Sequence, residues 1–155
     1  MIKIITIRVV ALVILLIFSD SIARAEYKEP PEVCPQERKT AKAPSNYLKK
    51  TNPLRAEPRN IKKGKVLSHI KAKPIACKQC HGMGGDGKGA MALNLNPKPR
   101  NFTCNSTMDD ISDGQLFWII KSGSKGTSMP SYTHLSDRKI WQLIHYIRSL
   151  SEESS

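Results

Sequence analysis

The stretch CKQCHGMGGDGKG, Cys77 to Gly89, sets two cysteines two residues apart, puts a histidine directly behind them and follows with a glycine-rich run. Three chemistries begin this way: half of a zinc site, a dithiol redox centre and a covalent haem anchor. Structural zinc takes four ligands, usually two C-x-x-C pairs or one pair with a separated histidine pair. Here there is one pair, the other cysteines (Cys34 and Cys104) are isolated, and His81 lies too close to Cys80 to complete a tetrahedron on the same ion. A thioredoxin-like dithiol opens a helix after a strand, yet no run in this chain alternates apolar and polar residues as a strand would. Haem attachment needs two thiols at a short fixed spacing, which add to the two vinyl groups on one porphyrin edge, and an imidazole next in line to face the iron. C-x-x-C-H supplies all three, so one covalent haem c is the expected cofactor.

The N-terminus bears on where this chemistry takes place. Lys3 and Arg8 precede VVALVILLIF, Val9 to Phe18, and SDSIARA then ends in Ala23-Arg24-Ala25. A charged start, a short apolar core and an A-x-A end make a secretory signal peptide, cleaved after Ala25. The alternative is a retained anchor, but a membrane span needs about 20 apolar residues, and Arg8 and Asp20 bracket this core closely. The expected location is therefore periplasmic, and an oxidising compartment permits disulfides. Cys34 in EVCPQ and Cys104 in FTCNS are the two cysteines outside the motif, and their simplest fate is a mutual bridge. Closing so long a loop contributes ~4 kcal/mol in the chain-entropy model; two unpaired thiols are the alternative.

The formal charge of +12 falls to +10 when Lys3, Arg8, Arg24 and Asp20 leave with the signal. In an exported protein this excess points away from nucleic acid. It points towards redox protein partners with an acidic docking surface, or to a membrane complex or anionic membrane surface, with long-range steering of the encounter.

Composition divides the chain into a leader (1–25), a proline-rich extension (26–59), one domain (60–150) and a flexible tail (151–155). The extension holds six of the ten prolines, Pro30, Pro31, Pro35, Pro44, Pro53 and Pro58, and reads as an extended arm pinned through Cys34. In the domain, Asn60 can cap a helix from Ile61 to about Lys71, with Val66 and Ile70 on one face and Leu67 flanking. Pro74 ends it. Gly82 to Arg100 reads as a long loop, with a short helical turn at GAMALNL. Ser112 caps a second helix from Asp113 to about Lys121, with Leu116, Phe117 and Ile120 as its apolar face and Gly123 as its stop. Ser136 caps the last, where Ile140, Leu143, Ile144 and Ile147 recur at helical spacing. The expected fold is all-α, three main helices with long loops wrapped around one covalently bound haem. Three short helices offer too little core alone, and long irregular loops in a compact domain are usually organised around something.

The far side of the iron decides function. The candidates are Met129, the histidines His69, His134 and His145, and Cys104. Met129 leads because a lone methionine in the polar loop GTSMPSY packs nothing obvious, and a thioether facing iron explains it. His134 is the first substitute, Cys104 would strand Cys34, and an open position remains an alternative.

Together CKQCHGMGGDGKG, NPKPRNF, GTSMPSY and the terminal IWQLIHYIRSL resemble the monohaem class I cytochromes c of bacterial respiratory chains, over about Ile61 to Leu150. The resemblance implies thioethers from Cys77 and Cys80, iron ligation by His81 and Met129, and a crossing of the first and last helices. It further implies that a proline carbonyl, assigned to Pro97, orients the His81 ring, and that Arg100 meets a haem propionate. Trp118 and Trp141 are candidates for the pocket lining or for plain core. The extension and the Cys34/Cys104 pair lie outside the family's pattern. With both axial positions taken, the expected role is an electron carrier rather than an enzyme. The alternatives are a haem enzyme or gas-binding protein with a displaceable distal ligand, and a cytochrome subunit docked in a larger complex.

Overall fold

The computed structural model describes residues 34–36 and 40–152, and the expectations for the leader, for residues 26–33 and 37–39 of the extension and for the last residues of the tail lie outside them. Among the described residues six helices follow one another: α1 Ser45–Leu48, α2 Pro58–Val66, α3 Lys78–His81, α4 Asn105–Met108, α5 Asp113–Ser122 and α6 Asp137–Glu152. A π-helical turn, Leu67–Lys71, continues α2. No strand occurs among the described residues, so the fold is all-α and its three long helices are α2, α5 and α6. None of the described helices is long and apolar enough to cross a membrane.

The first long helix starts earlier than its sequence suggests. Pro58 occupies its first turn behind Glu57, where a missing N–H costs nothing and φ is already helical. Asn60 is therefore not the cap. It is buried, donates from Nδ2 to Arg55 O at 3.0 Å and accepts Gln142 Nε2 at 3.1 Å, joining α2 to α6. The face that packs is Gly64, Leu67 and Ser68 rather than Val66 and Ile70, and Ile70 is 67% exposed. The first and last helices do cross, at Gly64: a Cβ there would stand 2.0 Å from Gln142 O and 2.8 Å from Tyr146 Cβ. A glycine inside a helix gives up about 1 kcal/mol of propensity, and here it lets two backbones meet.

The other two long helices follow their caps. Ser112 Oγ accepts Gln115 N–H at 3.2 Å, and Gly123, at φ 77°, ends α5. The stripe of α6 (Ile140, Leu143, Ile144, Ile147) forms the core with Leu116, Phe117 and Ile120 of α5. Phe117 and Trp141 rings meet at 4.4 Å. Arg148 locks the assembly, donating to Asp113 Oδ1 at 2.9 Å, to Met108 O at 2.8 Å and to Ile111 O. GAMALNL forms turns but no helix.

The described part of the extension is packed rather than loose, and it belongs to one compact unit with the domain, Val33–Ser155. Cys34 and Cys104 are bridged, with Cα atoms 5.8 Å apart. Ala43 N–H donates to Gln115 Oε1 at 2.7 Å, and Gln115 Nε2 returns a bond to Ala41 O at 2.9 Å. Tyr47 stacks on Phe117 at 6.2 Å. His145 Nε2 donates to Leu54 O at 2.9 Å, and Asn52 Nδ2 to Trp141 O at 3.0 Å. Prolines withhold backbone donors from any ladder, so side chains of α5 and α6 supply the partners instead.

Candidate functional site: a haem cavity

One helical turn builds the proximal wall. His81 N–H donates to Cys77 O at 2.9 Å and Cys80 N–H to the same carbonyl at 3.2 Å. Residues three and four apart share a helix face, so α3 turns Cys77, Cys80 and His81 towards one cavity, whose lining includes all three. Cys77 and Cys80 carry thiols. Burial pushes both above the usual thiol range, in Cys77 against the opposing effect of a hydrogen bond from Ser68.

The imidazole is fixed at its other nitrogen. His81 Nδ1 lies 2.9 Å from Arg100 O, and a carbonyl oxygen only accepts, so the proton is on Nδ1. That tautomer makes Nε2 the nitrogen that carries the lone pair, the form in which histidine binds a metal. Phe102 stacks on the ring at 4.4 Å with 16° between planes. The orienting carbonyl thus comes from Arg100 and not from Pro97, which lines the cavity without that bond. The reason lies in how the loop closes. Phe102 N–H donates to Gly85 O at 2.7 Å, and this pins residues 100–102, three beyond Pro97, against the turn after α3. Gly85 is at φ 77°, where a side chain is strained, and a Cβ would stand 2.5 Å from Leu150 Cδ1.

The cavity holds about 500 Å³, within the range of pockets that enclose sizeable ligands, about 300–1,000 Å³. Ser112, the cap of α5, and Gln115, Leu116, Ile119 and Ile120 of that helix form a second wall. Trp118 is absent from the lining: it lies about 200° around the helix from Leu116 at 100° per residue, on the other face. Trp141 is core. Met129 lines the same cavity as His81. Its loop is braced, with Met129 N–H donating to Thr127 Oγ1 at 3.1 Å and Met129 O accepting Ser124 N–H at 3.2 Å.

The other candidates for the distal position are placed elsewhere. His134 is exposed and outside the lining. His69 Nε2 pairs with Tyr146 OH at 2.9 Å, His145 is bonded to Leu54, and Cys104 is in the disulfide. Among the described residues no group of three or more His, Cys, Asp and Glu could hold a metal ion, so the zinc reading has no ligand set there.

Three contributions to the site were not singled out from the sequence. Tyr132 is buried and donates its hydroxyl to Ile75 O at 2.7 Å, tying the methionine loop to the segment before Cys77. Burial, then the neighbouring Cys77 and Cys80, push its phenol far up, so it stays a neutral donor. Its signal was a tyrosine three residues past the leading ligand candidate. Phe102 was quoted in NPKPRNF without a role. Thr40, Lys42 and Leu48 also line the cavity, hidden in an arm read as separate. Arg100 donates to Thr40 Oγ1 at 3.1 Å, so Arg100 and Lys42 give the apolar cavity a cationic margin suited to carboxylates.

The residues fit a covalent porphyrin: two thiols and a lone-pair imidazole on one helical turn, a thioether in the same cavity, apolar walls and two cations. The family model described as Cytochrome C oxidase, cbb3-type, subunit III matches residues 61–147. Among solved structures the chain is similar to one in the Kuenenia stuttgartiensis reducing HAO-like protein complex Kustc0457/Kustc0458, at 32% identity and a TM-score of 0.57. That match covers 81% of this chain and 52% of the other, so this chain spans about half its length. No curated protein matches closely enough to be called a relative.

Proposed function

We propose that this chain, which belongs to the cytochrome c family described as Cytochrome C oxidase, cbb3-type, subunit III and is a monohaem c-type cytochrome, transfers electrons: Cys77 and Cys80 hold the haem as thioethers, His81 and Met129 are the iron ligands, and the protein passes single electrons in an exported redox chain. The observation that carries this reading is the Nδ1–H tautomer of His81, set by Arg100 O, in a cavity shared with both thiols and Met129.

Each residue then has a task. Cys77 and Cys80 would hold the haem through two C–S bonds, each thiol adding across a vinyl group with its proton passing to the neighbouring carbon, so that nothing leaves. His81 presents Nε2 while Arg100 O keeps the ring from turning. Met129 supplies the second ligand, which raises the reduction potential relative to two histidines. Leu116, Ile119 and Ile120 exclude water, and Arg100 and Lys42 stand where carboxylates can be met. When bound, the haem supplies reversible one-electron iron chemistry. Two protein ligands leave no position for a substrate, so the protein acts as a carrier and not as an enzyme.

The basic excess, +10 once Lys3, Arg8, Arg24 and Asp20 leave with the signal, suits redox partners with acidic docking surfaces, and the signal-like N-terminus suits a periplasmic location. A second reading, a subunit in a larger redox complex, is favoured by the similarity to a chain of such a complex. The test is an absorption spectrum of the oxidised and reduced holoprotein. A methionine-to-iron charge-transfer band in the red, and a reduced spectrum unmoved by carbon monoxide, are expected. Prompt carbon monoxide binding would overturn the closed, carrier reading.

A further inference from the structure

Gln36 lies two residues beyond Cys34, in the arm, and makes three hydrogen bonds into the domain. Its N–H donates to Thr107 Oγ1 at 2.9 Å, its Nε2 donates to Pro99 O at 3.2 Å, and its Oε1 accepts Asn101 N–H at 2.8 Å. The last bond matters most. Asn101 N–H and Arg100 C=O belong to one peptide unit, and that carbonyl accepts His81 Nδ1–H at 2.9 Å. A continuous chain therefore runs from the Gln36 carboxamide through the 100–101 peptide to the His81 ring. An acceptor on the N–H end of an amide polarises its C=O, and hydrogen bonds in such a chain strengthen one another. The backbone of Gln36 is anchored as well, by Thr107 and by the nearby Cys34–Cys104 bridge.

We propose that Gln36 is a positioning residue for the proximal ligand: it grips and polarises the 100–101 peptide, and so sets the orientation and basicity of His81. This rests on the reading of His81 as the iron ligand. A stronger pull on Nδ1–H makes Nε2 a better electron donor, which favours oxidised iron and lowers the reduction potential.

The test uses holoprotein and two local readouts besides the potential: solvent exchange of the His81 Nδ1–H and of the Asn101 N–H, both followed by NMR. Gln36→Ala should raise the midpoint potential and speed both exchanges by about tenfold or more, since protection tracks the opening of these bonds. Gln36→Glu keeps an acceptor for Asn101 N–H and strengthens it, so it should lower the potential while keeping Asn101 protected. Asn52→Ala is the control for simple loosening of the arm, because it breaks the bond to Trp141 O and touches nothing near residue 100. Its potential should be unchanged. Wild-type potential and exchange in Gln36→Ala, or an equal shift in Asn52→Ala, overturns the proposal. Failure of the ligand reading shows separately, as the absence of iron-shifted His81 ring signals from oxidised wild-type protein, while Asn101 exchange still reports on the grip.

Discussion

His81 and Met129 differ in how each is held, and the difference shows what substitution would do. His81 is fixed by a backbone carbonyl and a stacked ring. Met129 is held through its loop, by Thr127 and Ser124 on its own backbone, so its side chain can be exchanged without disturbing the brace. Met129→His is expected to retain covalent haem and to lower the midpoint potential, within the roughly 0.8 V over which axial ligands act. Potentiometric titration checks this, and an unchanged potential would remove Met129 from the ligand set. That the C-x-x-C-H residues and Met129 share one cavity was legible because reactive side chains at a fixed spacing, or an apolar one in a polar loop, stand out in sequence. The carbonyl of Arg100 was not, because every residue has a carbonyl and only tertiary packing decides which one faces the ring. Trp118, a candidate for the pocket lining or for plain core, is turned away from the cavity by helix phase.

Among the elements, α5 was legible from cap to stop, since its apolar face, Ser112 and Gly123 all agree, and α6 was legible in its start and its buried stripe. The first long helix was legible in existence and in its end near Lys71, but not in its start or its buried face. The pattern of Val66 and Ile70 assumed a uniform 3.6-residue period, and the π-helical turn at Leu67–Lys71 breaks that phase. The packing face also depends on a glycine, which no hydrophobic pattern counts. Gly64→Ala gains about 1 kcal/mol in helix propensity, but its methyl must displace Gln142 O. The steric term should win, leaving the holoprotein less stable by about 1–3 kcal/mol, as read by denaturant unfolding. A stabilised variant would mean that the two helices separate easily, contrary to the contact described.

For the molecule as a whole, the sequence suggested an arm and a domain, whereas the arm supplies part of the cavity wall through Thr40, Lys42 and Leu48. Proline content marked the arm as irregular but could not mark it as packed, because its partners are polar side chains far away in sequence. The bridge joins residues 70 apart. Cys34→Ser with Cys104→Ser is expected to lower the unfolding free energy by about 2–4 kcal/mol, measured on holoprotein, with the haem spectrum retained. Loss of less than about 0.5 kcal/mol would mean that the arm's hydrogen bonds suffice without the bridge. The four cysteines must also finish in two different chemistries, a disulfide for one pair and, on the proposed attachment, thioethers for the other. Cys77 and Cys80 lie nearer to Cys34 along the chain than Cys104 does, and shorter loops close at lower entropic cost. An indiscriminate oxidant acting on the extended chain therefore favours the wrong pairs. Once both motif thiols have been alkylated, Cys104 is the one partner left to Cys34. On that attachment, the order that leaves no wrong pair available is the one in which the haem goes on before the arm is fastened.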